Sequence, residues 1–206
     1  MGRSFPKKAR NTQKCKRKPV MVVTAEGKNV TEYKYLLSFR SQHGQYTIHF
    51  HKAGSITDSF GLLKSIEQYW VENQLSEDLG DKAYVFLDID CEKYKADRIR
   101  QAAKKAEHAT FIPSNPCFEI WFIFHYEETT HEFLSSDEVI QRLKKYIPEY
   151  EKTTDAAPRI LPMLSKALRN ADSVKRYHDN LGRLWPSEMC NPMTDVPMVI
   201  KELQGI

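Results

Sequence analysis

Three carboxylates stand where apolar runs end, and they are the first residues of this chain placed to do chemistry. A β-branched run over Val20–Ala25 closes on Glu26 and Gly27, and a second, over residues 83–87, passes directly into Asp88, Ile89 and Asp90. Open parallel sheets bind ligands outside the carboxyl ends of their strands, which is where these acids fall. Strand alternation predicts that Asp88 and Asp90 share one side. Like charges so close raise each other's pKa and cost stability unless a cation lies between them. Hard divalent cations such as Mg²⁺ or Mn²⁺ take oxygen ligands, commonly one or two carboxylates plus substrate phosphate and water. An Asp-x-Asp alone is weak, because turn chemistry often puts Asp after a strand. An acid at two separate strand ends points more firmly to a metal site.

The elements needed to position these acids are legible as an alternation of strand and helix patterns. After Val20–Ala25, Asn29 with Glu32 three residues on has capping-box spacing, and Tyr33, Leu36, Leu37 and Arg40 follow at helical intervals up to Gly44. Tyr46, Ile48 and Phe50 alternate with Thr47, His49 and His51 as a strand with one wetter face. Asp58 or Ser59 opens a helix with Leu62, Leu63, Ile66 and Trp70 on one face. The strand over 83–87 precedes a third helix over 93–108, and a fourth strand is expected over 109–113. Asn115 followed by Pro116 reads as a helix start, with a capping amide and proline at the first helical position. The run beyond it, 117–124, is apolar all round and therefore buried. From Ser135 onward the spacing is helical, with Val139, Ile140, Leu143 and Ile147 in one stripe and Leu161, Leu164, Leu168 and Val174 in another. The fold class expected is α/β: a parallel sheet sandwiched by helices over 20–126, with a helical C-terminal extension over 127–206.

Composition bounds the partners. The 206 residues carry a net charge of +4, but residues 1–19 hold eight Lys or Arg and no acid, leaving 23 basic against 27 acidic residues in the body. Such a leader has too little apolar surface to fold. Lys7, Lys8, Arg10, Lys14, Lys16, Arg17 and Lys18 are candidate phosphate contacts; a solubilising leader is the alternative. The four cysteines form no Cys-x-x-Cys pair, which with the lack of a signal-like apolar leader or a membrane-length apolar run leads us to expect a cytoplasmic protein with reduced thiols and no membrane partner. No Walker-type loop or Gly-x-Gly-x-x-Gly supports an ATPase or dinucleotide reading.

Residues 22–35 (VVTAEGKNVTEYKY) and 85–90 (VFLDID) resemble the Toprim pattern of topoisomerases, primases and OLD-type nucleases, in which a Glu ends the first strand and an Asp-x-Asp the third. More specifically, SNPCFEIWFIFHY at 114–126, Tyr-x-Lys at 150–152 and Asn-Pro-x-Thr-x-Val at 191–196 resemble the RloB-like family, over about residues 20–206. The resemblance implies a Toprim-like fold and a Mg²⁺-dependent nuclease (Mn²⁺ as alternative) cutting DNA or RNA, tRNA included, in antiviral or abortive-infection defence. It also implies a restraint by a partner such as an ATPase or effector-complex subunit, or by homo-oligomerisation. Carried over by position, Glu26 is the general acid/base and a metal ligand, Asp88 and Asp90 hold the metal, and Lys152 stabilises transition-state charge. Glu119, one turn into the helix that starts nearest the same rim, is a candidate fourth ligand, or else bonds a neighbour.

Around these, Gly27 and Lys28 are expected at the substrate or in the turn after the first strand, and Ser114 and Asn115 at the substrate or capping the helix. His125 reads as a buried imidazole, His49 and His51 as a solvated sheet face, and Trp121, Phe122 and Phe124 as core. Two other readings stand beside the nuclease: a metal-dependent nucleotidyl or glycosyl transferase, and a non-catalytic Toprim-like binding or sensor subunit.

Overall fold

A computed structural model describes residues 17–27, 30–40 and 44–206. Strands β1 (Val20–Ala25), β2 (Thr47–Phe50), β3 (Lys82–Asp88), β4 (Ala109–Asn115) and β5 (Met193–Thr194) form one sheet in the order β2-β1-β3-β4-β5. The first four are parallel and β5 pairs antiparallel with β4. Helices α1 (Val30–Leu37), α2 (Ser59–Glu72) and α3 (Lys93–Ala103) alternate with the strands, followed by α4 (Ile120–Tyr126), α5 (Ser136–Leu143), α6 (Ala157–Ile160), α7 (Leu164–Asn180) and α8 (Val196–Gln204). The expected α/β architecture is the one found. No helix among the described residues is long and apolar enough to cross a membrane.

Period-two alternation divides the core between the two faces of the sheet. Met21, Val23, Ala25, Tyr84 and Phe86 pack with α1 and with the helices from α4 onward. Val22, Ala83, Val85 and Leu87 pack instead with Leu62, Ile66 and Trp70 of α2 and Ala96 and Ile99 of α3. Strands buried on both faces read as unbroken apolar runs, which is why β1 and β3 were legible. Asp58 caps α2 by accepting from the Phe60 and Gly61 amides, at 3.1 and 3.0 Å. The apolar run is helical and buried from Ile120 through His125.

Several expectations need correction. Asn115 does not begin a helix: it is the last residue of β4, the Asn115–Pro116 bond is cis, and α4 starts only at Ile120. The fourth strand is therefore two residues longer than expected, and α3 ends at Ala103 rather than at 108. The C-terminal extension is not wholly helical, because Met193 and Thr194 supply a fifth, antiparallel strand. Two residues are too few to leave a periodic signal. His49 is exposed, as expected, but His51 is half-buried and pairs with the Ser65 hydroxyl at 2.7 Å, and both rings rest against Tyr69 of α2, at 5.1 and 4.9 Å.

The basic leader also reads differently where it is described. Arg17 makes a two-pronged ion pair with Asp81, Nη1 to Oδ1 at 2.7 Å and Nη2 to Oδ2 at 2.6 Å. Its guanidinium thus anchors the entry to β1. Lys18 follows it, separated from β1 by Pro19, and Lys7, Lys8, Arg10, Lys14 and Lys16 lie outside the described residues, as do Lys28 and Asn29. Cys91, Cys117 and Cys190 are free thiols.

Candidate active site

The carboxyl ends of β1 and β3 open into a hollow of ≈ 410 Å³ whose lining includes five carboxylates: Glu26, Glu32, Asp88, Asp90 and Glu119. Each arrives by its own route. Glu26 follows β1 directly, and the chain turns there through Gly27 at φ +70°, a conformation that favours glycine although no atom crowds the position. Asp88 is the last residue of β3 and shares its face with Tyr84 and Phe86, so it points toward α1 and α4. Its Oδ1 accepts from the Phe118 amide at 2.9 Å.

Asp90 is not positioned by strand alternation. The strand stops at Asp88, and Asp90 and Cys91 both take left-handed backbone, φ +51° and +61°. Non-glycine residues persist in that region only where surroundings hold them. The end of β4 does so: the amides of Ile89 and Asp90 donate to the Ser114 and Pro116 carbonyls, each at 2.8 Å, and the Cys91 amide donates to Asn115 Oδ1 at 3.0 Å. Asn115 is fully buried, and its Nδ2 donates in turn to the Glu188 and Cys190 carbonyls at 3.1 and 3.0 Å. The Ser114 hydroxyl pairs with Thr194 at 2.7 Å. Ser114 and Asn115 therefore lie beneath the hollow and hold the Asp90 turn in place, rather than lining it.

Glu119 is buried, and Tyr150 donates its hydroxyl to Glu119 Oε1 at 3.0 Å. The Thr31 hydroxyl lies 3.4 Å from the same oxygen and 3.1 Å from the Lys152 carbonyl, so it can donate to either. This ties the loop carrying Lys152 to α1, and Lys152 lines the hollow from the C-terminal side. Asp90 is gripped from two sides, by Lys95 Nζ at 2.7 Å and by the Ser136 hydroxyl at 2.7 Å. The same ammonium stands 3.5 Å from Glu26 Oε1, bridging the two acids.

Crowded carboxylates in a recess resist ionisation. Burial pushes the Asp88 carboxyl well above its ordinary value, and Glu32, Glu119 and Asp90 add to the rise. Burial, reinforced by Glu119, brings Glu32 up to about 7. Burial likewise raises Glu26, partly offset by Lys95. Burial alone would lower Lys152, but Glu119, Cys117, Asp88 and Glu32 outweigh it and hold the ammonium charged. Among the described residues no three His, Cys, Asp or Glu side chains close on a common point as they stand. The side chains at the hollow are oxygen donors with an excess of carboxylates over ammonium groups.

The sequence model of the RloB-like protein family matches residues 21–203. The chain belongs to the RloB-like family. No curated protein and no solved structure matches it. The family match takes in all five acids together with Lys95 and Lys152.

In this RloB-like chain the structure gathers Glu26, Gly27, Asp88, Asp90, Glu119 and Lys152 around one hollow. Sequence reasoning missed Glu32, Lys95 and Ser136. Glu32 was absorbed into a capping box, yet a first-turn acid on the helix that follows β1 must face the same rim. Lys95 carried a usable signal: α3 has no acid in its first turn and two lysines there instead, Lys93 and Lys95. That runs against the helix dipole and calls for a local anion.

Proposed function

We propose that this protein is a metal-dependent phosphodiesterase acting on DNA or RNA, of the Toprim-like nuclease class and with a role in antiviral defence. One observation carries the reading: five carboxylates converge on one hollow at the strand carboxyl ends, with two ammonium groups beside them. Glu26, Asp88 and Asp90 would hold Mg²⁺ or Mn²⁺, with Glu119 behind them. When bound, the ion would neutralise charge on the scissile phosphate and lower the pKa of attacking water. Glu32, with its pKa near 7, can take or give a proton at neutral pH. Lys152 brings a fixed positive charge to the rim, where negative charge develops as the phosphodiester breaks. Lys95 must release Asp90 or Glu26 for those oxygens to turn toward a metal, and its ammonium then faces the incoming phosphate. A bare hollow of this charge repels nucleic acid, so cation binding and substrate binding are expected to be coupled.

The test is purified protein with plasmid, single-stranded DNA and tRNA, each in Mg²⁺, Mn²⁺ or EDTA. Cleavage abolished by EDTA and by Asp88→Asn supports the reading. Cleavage indifferent to both, or turnover of a labelled nucleotide without strand scission, overturns it.

A further inference from the structure

A separate hollow, ≈ 520 Å³, lies between α1 and the edge strand β2, and Val30 belongs to both it and the acid hollow. The two are opposite in character. Three cations, Lys34, Arg40 and Lys52, line this separate hollow together with the rings of Tyr33 and Phe50, and no carboxylate does among the described residues. Its parts are held ready. Arg40 donates to the Ile48 carbonyl at 2.7 Å with its guanidinium 5.9 Å from the Phe50 centroid. That leaves most of the five guanidinium donors directed elsewhere. Lys34 donates to the Thr153 carbonyl, from the same loop that carries Lys152. Tyr33 meets Phe50 edge-on at 4.5 Å while remaining 39% exposed. Phe50 ends β2 and Lys52 lies just beyond it, so the hollow opens on the same rim as the acids.

We infer that this hollow is the subsite for an unpaired nucleic-acid strand running away from the acid hollow, an inference that rests on the nuclease reading. A phosphodiester at the acids has neighbours on the same strand that must also be accommodated, and a cation-lined, acid-free hollow next door suits their charge. Tyr33 supplies the second half of the recognition. Base–aromatic stacking requires a base with a free face, which a single strand offers and a paired duplex does not. Arg40 and Lys52 take phosphates; Tyr33 stacks one base.

The experiment is fluorescence anisotropy with labelled short oligothymidylate, oligouridylate and a DNA duplex, in Ca²⁺, which takes the same kind of oxygen ligands as Mg²⁺, and over a range of salt, using the full chain. Cleavage of the same strands is followed in Mg²⁺. Tyr33→Ala should weaken single-strand binding by about 5- to 100-fold, and Tyr33→Phe should restore it. Lys52→Ala should weaken binding to both oligonucleotides alike and reduce the salt slope by about 0.7. Thermal melts of each variant separate these effects from unfolding, and Lys52 and Tyr33 are exposed enough for both to fold. Unchanged binding in Tyr33→Ala and Lys52→Ala, wild-type preference for duplex, or no oligonucleotide binding at all would each overturn the subsite. Cleavage by a wild type whose variants bind normally removes the subsite and leaves the nuclease. Binding through Tyr33 and Lys52 without any metal-dependent cleavage does the reverse.

Discussion

Strand β3 has an aspartate at each end, and the two live in opposite circumstances. Asp81, just before the strand, is 1% exposed yet fully answered: Arg17 grips both oxygens, and the Val20 and Ser76 amides donate at 2.7 and 2.8 Å. Those bonds, the Arg17 guanidinium foremost, hold it down at about 2. Asp88, the last residue of the strand, has a single amide donor, Phe118, and otherwise faces carboxylates, and burial drives it well above the usual carboxylate range. One end of the strand is a structural tie. The other is a place where stability is given up, and such places are candidate sites of function.

The comparison can be broken most forcefully at the tie. Asp81→Ala leaves Arg17 and two half-buried amides without their acceptor, and should cost about 2–4 kcal/mol of stability in a urea titration. Asp88→Asn, at the other end, removes an unfavourable ionisation. It should leave the metal-free protein at least as stable as wild type while lowering any Mg²⁺-dependent cleavage by more than about 100-fold, beyond what losing an outer-shell partner costs. Equal destabilisation by the two substitutions would erase the distinction.

The two ends should also answer pH with opposite sign. Asp81 has a folded pKa below its unfolded 3.8, so its contribution is present above that value and lost as pH falls through about 2. Glu32 has a folded pKa above its unfolded 4.5, so the stability tied to its neutral form is full below 4.5 and lost as pH rises through about 7. In EDTA the melting temperature should therefore fall between pH 5 and pH 8, and Mg²⁺ should restore it at pH 8. Glu32→Gln should flatten that fall. The smallest effect sharpens the same contrast: Lys95→Gln frees Asp90 and Glu26 from their ammonium and should tighten Mg²⁺ binding by about 2- to 5-fold in calorimetry, with a stability loss under about 1 kcal/mol.

Much of the scaffold was legible because local patterns report burial. The unbroken apolar runs of β1 and β3, the Asp58 cap and the stripe of α2 each follow from nearest neighbours in the chain. The site was legible only in part. Glu26 and Asp88 reach the hollow from the strands expected to carry them, whereas Glu119 reaches it from the turn just before α4 and not from one turn inside a helix. Asp90 reaches it through a left-handed turn that no alternation predicts, held by Asn115 and the residues beside it. Those two, Ser114 and Asn115, looked like ligand or cap residues because a polar pair before a proline is the usual form of both, and their true partners come from residues 187–194.

Membership of the RloB-like family, the α/β class and the presence of acids at two strand ends were all properties of the chain as written, since each depends on residue type and short-range spacing. What the folded molecule alone decided is which charges meet. Lys95 between Asp90 and Glu26, Glu32 beside Asp88, Arg17 on Asp81 and the cation-lined hollow next to the acid one join residues from separate elements. Electrostatic interaction depends on distance through space and on burial, and neither is encoded by position along the chain.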